Sequence, residues 1–174
     1  MAGGLTIVAL VHILFGALWV GATVSFDLVV MSTIRRLRNP RGEPLEMEIP
    51  LMEKASKFFF PVAIITIASG LVFLYMLTAG DLLSLPRTLG GAILTLGIFL
   101  GAVVFIMGIY LGVTSSRVYK MFGNMKRAKA SQRIDPEGES TMIAKKAERI
   151  KKVSEIEMIL MVLTVIFMIL SVYI

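Results

Sequence analysis

The chain has 174 residues, 56% of them hydrophobic, a net charge of +6 and no cysteine, with a mean hydropathy of +0.82. Soluble chains are about 45–50% apolar, so a soluble domain of this length has no interior large enough for this content. The missing cysteines exclude disulfides, thiolate metal sites and cysteine nucleophiles.

Four apolar runs, roughly 5–33, 58–79, 88–116 and 154–174, each reach the length of about 20 residues that a helix needs to cross hydrocarbon. They predict an all-α polytopic membrane protein, a single domain over 1–174 with four transmembrane helices in an antiparallel bundle. With their polar extensions the helices are expected at roughly 5–33, 51–79, 88–122 and 150–174, joined by basic loops at 35–50 and 118–150. The first run is too long for a cleavable signal peptide and has no basic residue ahead of it, so it is expected to be retained.

The 18 basic residues orient the bundle. Six lie between helices 1 and 2, eleven between helices 3 and 4, and one, Arg87, between helices 2 and 3. Lysine and arginine resist export, which predicts cytoplasmic loops 1–2 and 3–4, both termini outside, and residence in the plasma membrane. Charge distributed in this way serves orientation and attraction to anionic lipid, and no nucleic-acid partner is expected.

Helix 1 carries the chain's only histidine, its only tryptophan and an acid. His12, Gly16, Trp19 and Thr23 follow i, i+4, i+7, i+11 spacing and share one face, from which Asp27 departs by roughly 60°. Fifteen residues at about 1.5 Å each separate His12 from Asp27 by roughly 22 Å, so the two are not a pair. Asp27 is expected to reach the cluster Arg35, Arg36 and Lys57, with an ion path or a partner as the alternative use of an intramembrane acid. Trp19 falls near mid-membrane, where its N–H needs an acceptor, and packing on the glycine face of helix 3 is its first expected role. His12 is a candidate ligand for haem iron or copper through one ring nitrogen, or a neutral side chain hydrogen-bonded to a neighbouring helix.

Helix 2 begins near Pro50 and passes FFFP at 58–61. The short connection AGDLLSLPR makes helices 2 and 3 an antiparallel hairpin. On helix 3, Gly90, Gly97, Gly101, Gly108 and Gly112 fall in a sector of roughly 60°, a stripe that admits another helix at close range. Beyond the membrane, helix 3 runs into SSRVYKMFGNMKRAKA, and TMIAKKAERIKKVSEIE resumes a charged helical pattern before helix 4, which suggests a short helical pair outside the bilayer.

Catalytic templates are missing: the chain has no GxSxG, HExxH, P-loop or dinucleotide fingerprint. Glu43, Glu46, Glu48, Glu53, Glu137 and Glu139 read as solvated loop residues, and no pair of carboxylates is expected inside the membrane. Met107, Met158, Met161 and Met168 are soft donors of the kind Cu(I) takes, yet the twelve methionines are scattered and read first as flexible apolar filling.

The stretch H-x6-W-x-G from His12 to Gly21 is similar to the first helix of copper-resistance D-type membrane proteins. Together with LMEK at 51–54, Pro61 and SGL at 69–71, it also resembles the four-helix membrane protoporphyrinogen oxidase family over residues 8–75. The resemblance implies a four-helix fold in which His12 faces haem or metal. That family carries further histidine and lysine on its third helix, whereas residues 88–116 here contain neither. The expected function is therefore a non-catalytic accessory subunit of a larger membrane complex, of respiratory oxidase or copper-dependent monooxygenase type. A haem-binding oxidoreductase of protoporphyrinogen oxidase type and a copper or small-solute transport protein are the alternatives. Haem or copper is conceivable but is not expected to be held by this chain alone. The expected partners are the lipid bilayer and other membrane subunits or a second copy.

Overall fold

The computed structural model describes residues 2–37, 48–130 and 137–174, and every regular element among them is a helix. Helix α1 (Ala2–Ser25) continues without a break through a π-helical turn (Phe26–Met31) into α2 (Ser32–Leu37). Helix α3 (Glu48–Leu77) leads through a 3-10 turn (Leu82–Arg87) into α4 (Leu89–Ala130), and α5 (Glu137–Tyr173) completes the chain. Four of these helical stretches are long and apolar enough to cross a membrane: Gly3–Ile34, Lys54–Leu77, Leu89–Val118 and Glu148–Tyr173. The all-α, four-span architecture expected from the apolar runs is the one observed.

The polar extensions are more helical than the sequence suggests. Helix α4 has 42 residues and α5 has 37, lengths of about 63 and 55 Å against a hydrocarbon core of about 30 Å. Most of the expected loop at 118–150 is thus helix. Val118 is buried there, with Met121 and Ile150 packed against it, so a small apolar core holds the two extensions together. The expected loop at 35–50 is shortened from both sides by α2 and α3, and the rest of it, 38–47, lies outside the described residues.

The bundle is two antiparallel pairs. Helix α1 packs along α3 and α4 along α5, while contacts between the pairs are sparse. Glycines place the α4–α5 seam. A Cβ at Gly97 would touch Phe167 and Met168, at Gly101 Thr164, at Gly108 the Glu157 carboxyl, and at Gly90 the Ser171 carbonyl. Moving along α4 therefore matches moving back along α5, residue for residue. The buried positions 97, 104, 115 and 118 of α4, and 157, 161 and 164 of α5, are separated by three, four, seven and eleven residues, the spacing of helices that cross at a shallow angle. Gly112, also in the expected stripe, has open space around it.

The accessible surface is 11479 Å², whereas a soluble monomer of this mass exposes about 8,400 Å². The excess is apolar and runs along every span, with Ile7, Leu71, Phe99 and Ile159 each more than half exposed. Such a surface belongs in hydrocarbon, not in water.

Candidate functional site

Two places in the spans gather polar side chains, and the first is centred on His12. Its Nδ1 donates to the Thr66 carbonyl at 2.8 Å. The same carbonyl accepts from the Ser69 hydroxyl at 3.0 Å, and the Thr66 hydroxyl turns to Val62 of its own helix at 2.9 Å. The imidazole lies flat over Gly70, where a Cβ would come within 2.7 Å of its Cε1. Phe73 stacks on it at 6.5 Å and 18°. Glycine at 70 is what lets α3 approach this closely, and Gly16, one turn further along α1, meets the Thr66 methyl. A carbonyl only accepts, so Nδ1 carries a proton, and in the neutral imidazole the lone pair is then on Nε2. An imidazole anchored through one nitrogen to a backbone carbonyl is oriented in the way that ligating histidines are.

Trp19 lies midway along the first span and meets α4 through Phe105, edge to face at 6.5 Å and 86°. The indole thus meets the helix that carries the glycine stripe, at a residue beside it, while α5 covers Gly90, Gly97, Gly101 and Gly108. The methionines divide similarly. Met161 is buried in the α4–α5 seam and Met168 covers Gly97, whereas Met158 turns toward α1 and lines an apolar recess of about 270 Å³ with Val24, Leu28 and Val162.

The second place is the π-helical turn. Asp27 accepts a hydrogen bond from Ser154 of α5 at 2.5 Å. Asp27 sits roughly 60° off the His12 stripe, and this angle separates the neighbours: His12 and Phe26 face α3, Phe26 against Phe59 at 5.7 Å, while Asp27 faces α5. Of the expected basic partners, Arg36 and Lys57 are exposed, and the side chain of Arg35 lies outside the described residues.

Glu157 is the residue that the sequence reading missed: no pair of carboxylates was expected in the spans, and Asp27 and Glu157 both lie in stretches long and apolar enough to cross a membrane. It lies one turn beyond Ser154, is 7% exposed, sits within electrostatic reach of Asp27, and points its Oε1 at Gly108. Its heptad phase with Met161, Thr164 and Met168 was the available signal. It was obscured because Glu157 ends a run of alternating lysines and glutamates that otherwise reads as a solvated face.

No group of three histidine, aspartate or glutamate side chains able to hold a metal occurs among the described residues. Among the described residues the donor set offers a metal a single ring nitrogen, His12 Nε2, and no complete coordination shell. Compared with known proteins, the chain matches no family model, no curated protein and no solved structure.

Proposed function

We propose that this chain is a non-catalytic subunit of a larger membrane assembly, in which His12 offers one ligand to a haem iron whose coordination a second chain completes. The observation that carries this reading is the anchoring of Nδ1 on the Thr66 carbonyl, which leaves Nε2 as the ring's ligand nitrogen, oriented and without a partner among the described residues. Haem suits a single imidazole, since iron takes one protein nitrogen per axial position, whereas copper needs more donors from the same neighbourhood. On α3, the helix that holds the imidazole, the Met76 thioether end packs at Gly4, two turns away from His12 along α1. When bound, the haem would supply electron transfer. The chain's own part is to hold the imidazole against Gly70 and Phe73 and to shield it with apolar helix. The basic ends of the helices face the cytoplasm in this reading, by the charge asymmetry of the sequence.

Gentle native purification from haem-replete cells tests it. We expect a second chain at fixed ratio and a Soret band that His12→Ala removes, with the helical circular-dichroism signal unchanged as the sign that the fold survives. A colourless assembly overturns the ligand role. A monomer that retains the band overturns the subunit role.

A further inference from the structure

We propose that the chain is a two-body clamp: α1 and α3 rock as one unit against α4 and α5, and the Asp27–Ser154 hydrogen bond latches the basic end shut. Each pair is held along its length, α1 on α3 through His12, Gly16 and Phe26, and α4 on α5 through the glycine seam. Between the pairs contacts are sparse, and two recesses lie there. At the end where Ala79–Arg87 join the pairs, a hollow of about 390 Å³ separates Leu77 and Thr78 of α3 from Leu94 and Ser171 of the other pair. At the basic end, the apolar recess of about 270 Å³ separates Val24 and Leu28 from Met158 and Val162. A close-packed interface leaves few such gaps.

In hydrocarbon, apolar helices gain nothing hydrophobic by touching, because lipid chains cover them equally well. Parting the pairs at the basic end therefore costs packing and polar contacts, and lipid chains refill the widened recess. Across this gap the Ser154 hydroxyl donates to Asp27 Oδ2 at 2.5 Å, a short bond of the strong hydroxyl-to-carboxylate kind. It stands at the end farthest from the joining turn, where one bond restrains the largest displacement. The π-helical turn of α1 carries Asp27 itself, and such turns concentrate at functional positions. Midway, Trp19 meets Phe105 edge to face at 6.5 Å, and ring pairs of this kind hold over a range of separations. The pivot is equally definite. Helix α3 ends at Ala79 and Gly80, both left-handed. The Leu85 carbonyl fills the place that a Cβ of Gly91 would take, and Thr88 accepts from the Ala92 and Gly91 N–H groups at 2.8 and 3.1 Å. The 3-10 turn is thereby fixed to α4, and bending is confined to the few residues around Gly80, a short element-terminal stretch of the kind that forms hinges.

The chain has no cysteine, so spin labels on introduced cysteines test this in the full chain in lipid nanodiscs, with distances read by dipolar electron spin resonance. Leu28→Cys with Ile159→Cys spans the gap at the basic end, Leu77→Cys with Leu89→Cys spans the pivot, and Val113→Cys with Ile156→Cys stays within one pair. All six side chains are exposed. We expect the Leu28–Ile159 labels to show a longer component beside the short one. Ser154→Ala should raise its share relative to the closed form about threefold, the worth of an interhelical hydrogen bond in lipid, and Ser154→Thr should restore the parent ratio. The other two label pairs should each keep one narrow distribution in every background. The proposal is overturned if Ser154→Ala leaves the Leu28–Ile159 distances as in the parent, or if either other label pair widens with them.

Discussion

The two helix pairs solve the same problem with different chemistry. Along α4–α5, backbone meets side chain over a long heptad seam of glycines, valines and methionines, extended past the membrane by Val118, Met121 and Ile150. Along α1–α3, the approach is local: one imidazole over one glycine, one threonine methyl at Gly16 and a pair of phenylalanines nearer the basic end. The first seam derives its strength from repetition, with many dispersion contacts of small individual size. The second depends on a polar contact that a single substitution removes. Where a protein needs a group oriented and accessible, the second kind of seam is the useful one.

The largest expected effect comes from filling the repeated seam. Gly97 is buried, and a Cβ there already stands 3.3 Å from Phe167 and 3.4 Å from Met168. The further atoms of Gly97→Leu have no space, and we expect a loss of about 2–3 kcal/mol. Gly112→Leu is the matched control, because nothing lies within 4 Å of its Cβ, and it should fall within about 0.5 kcal/mol of the parent. Chemical unfolding in detergent, followed by circular dichroism, separates the two. Equal losses would mean that the stripe does not set the seam.

A smaller effect is expected on the local seam, and it should be coupled. Gly70→Ala pushes a methyl to 2.7 Å from the His12 ring, which must leave the Thr66 carbonyl. The expected cost is about 1–2 kcal/mol, the worth of a hydrogen bond and the carbonyl left behind. With His12→Ala already in place there is no ring to displace, and Gly70→Ala then becomes neutral or gains up to about 1 kcal/mol of helix propensity. A double-mutant cycle measures the coupling, and additive losses would refute the contact.

This difference in chemistry also explains what was legible in the sequence. Periodic features carried over: the apolar runs became four spans, and four of the five stripe glycines face α5. The helical extensions were suggested by their charged periodicity, though their extent was not. Single contacts between distant segments were hidden, since nothing local to Thr66 or Gly70 indicates that a histidine 54 residues away leans on them. Asp27 shows the same limit. Its angle off the His12 stripe was readable, but which helix stood at that angle depended on how the two pairs associate. Glu157 was misread for a different reason, as the charge pattern of its neighbours outweighed its phase with Met161 and Thr164.

The link between the two pairs provides the smallest effect and the cleanest check on their independence. Helix α3 ends with Ala79 at φ 49°, Gly80 at φ 86° and a hydrogen bond from the Gly80 N–H back to the Tyr75 carbonyl at 3.1 Å. That left-handed turn suits glycine, and alanine at its first position costs about 1 kcal/mol. Ala79→Gly removes this strain but frees the unfolded chain, so the net gain should be about 0.5 kcal/mol. The turn touches neither the His12 contact nor the Gly97 contact. Its gain should therefore add, unchanged, to the losses from Gly97→Leu and Gly70→Ala, measured in the same unfolding experiment. A gain that vanishes in one of those backgrounds would show that the turn tightens that seam, and that the two pairs are coupled through their connection rather than only through Trp19, Asp27 and Ser154.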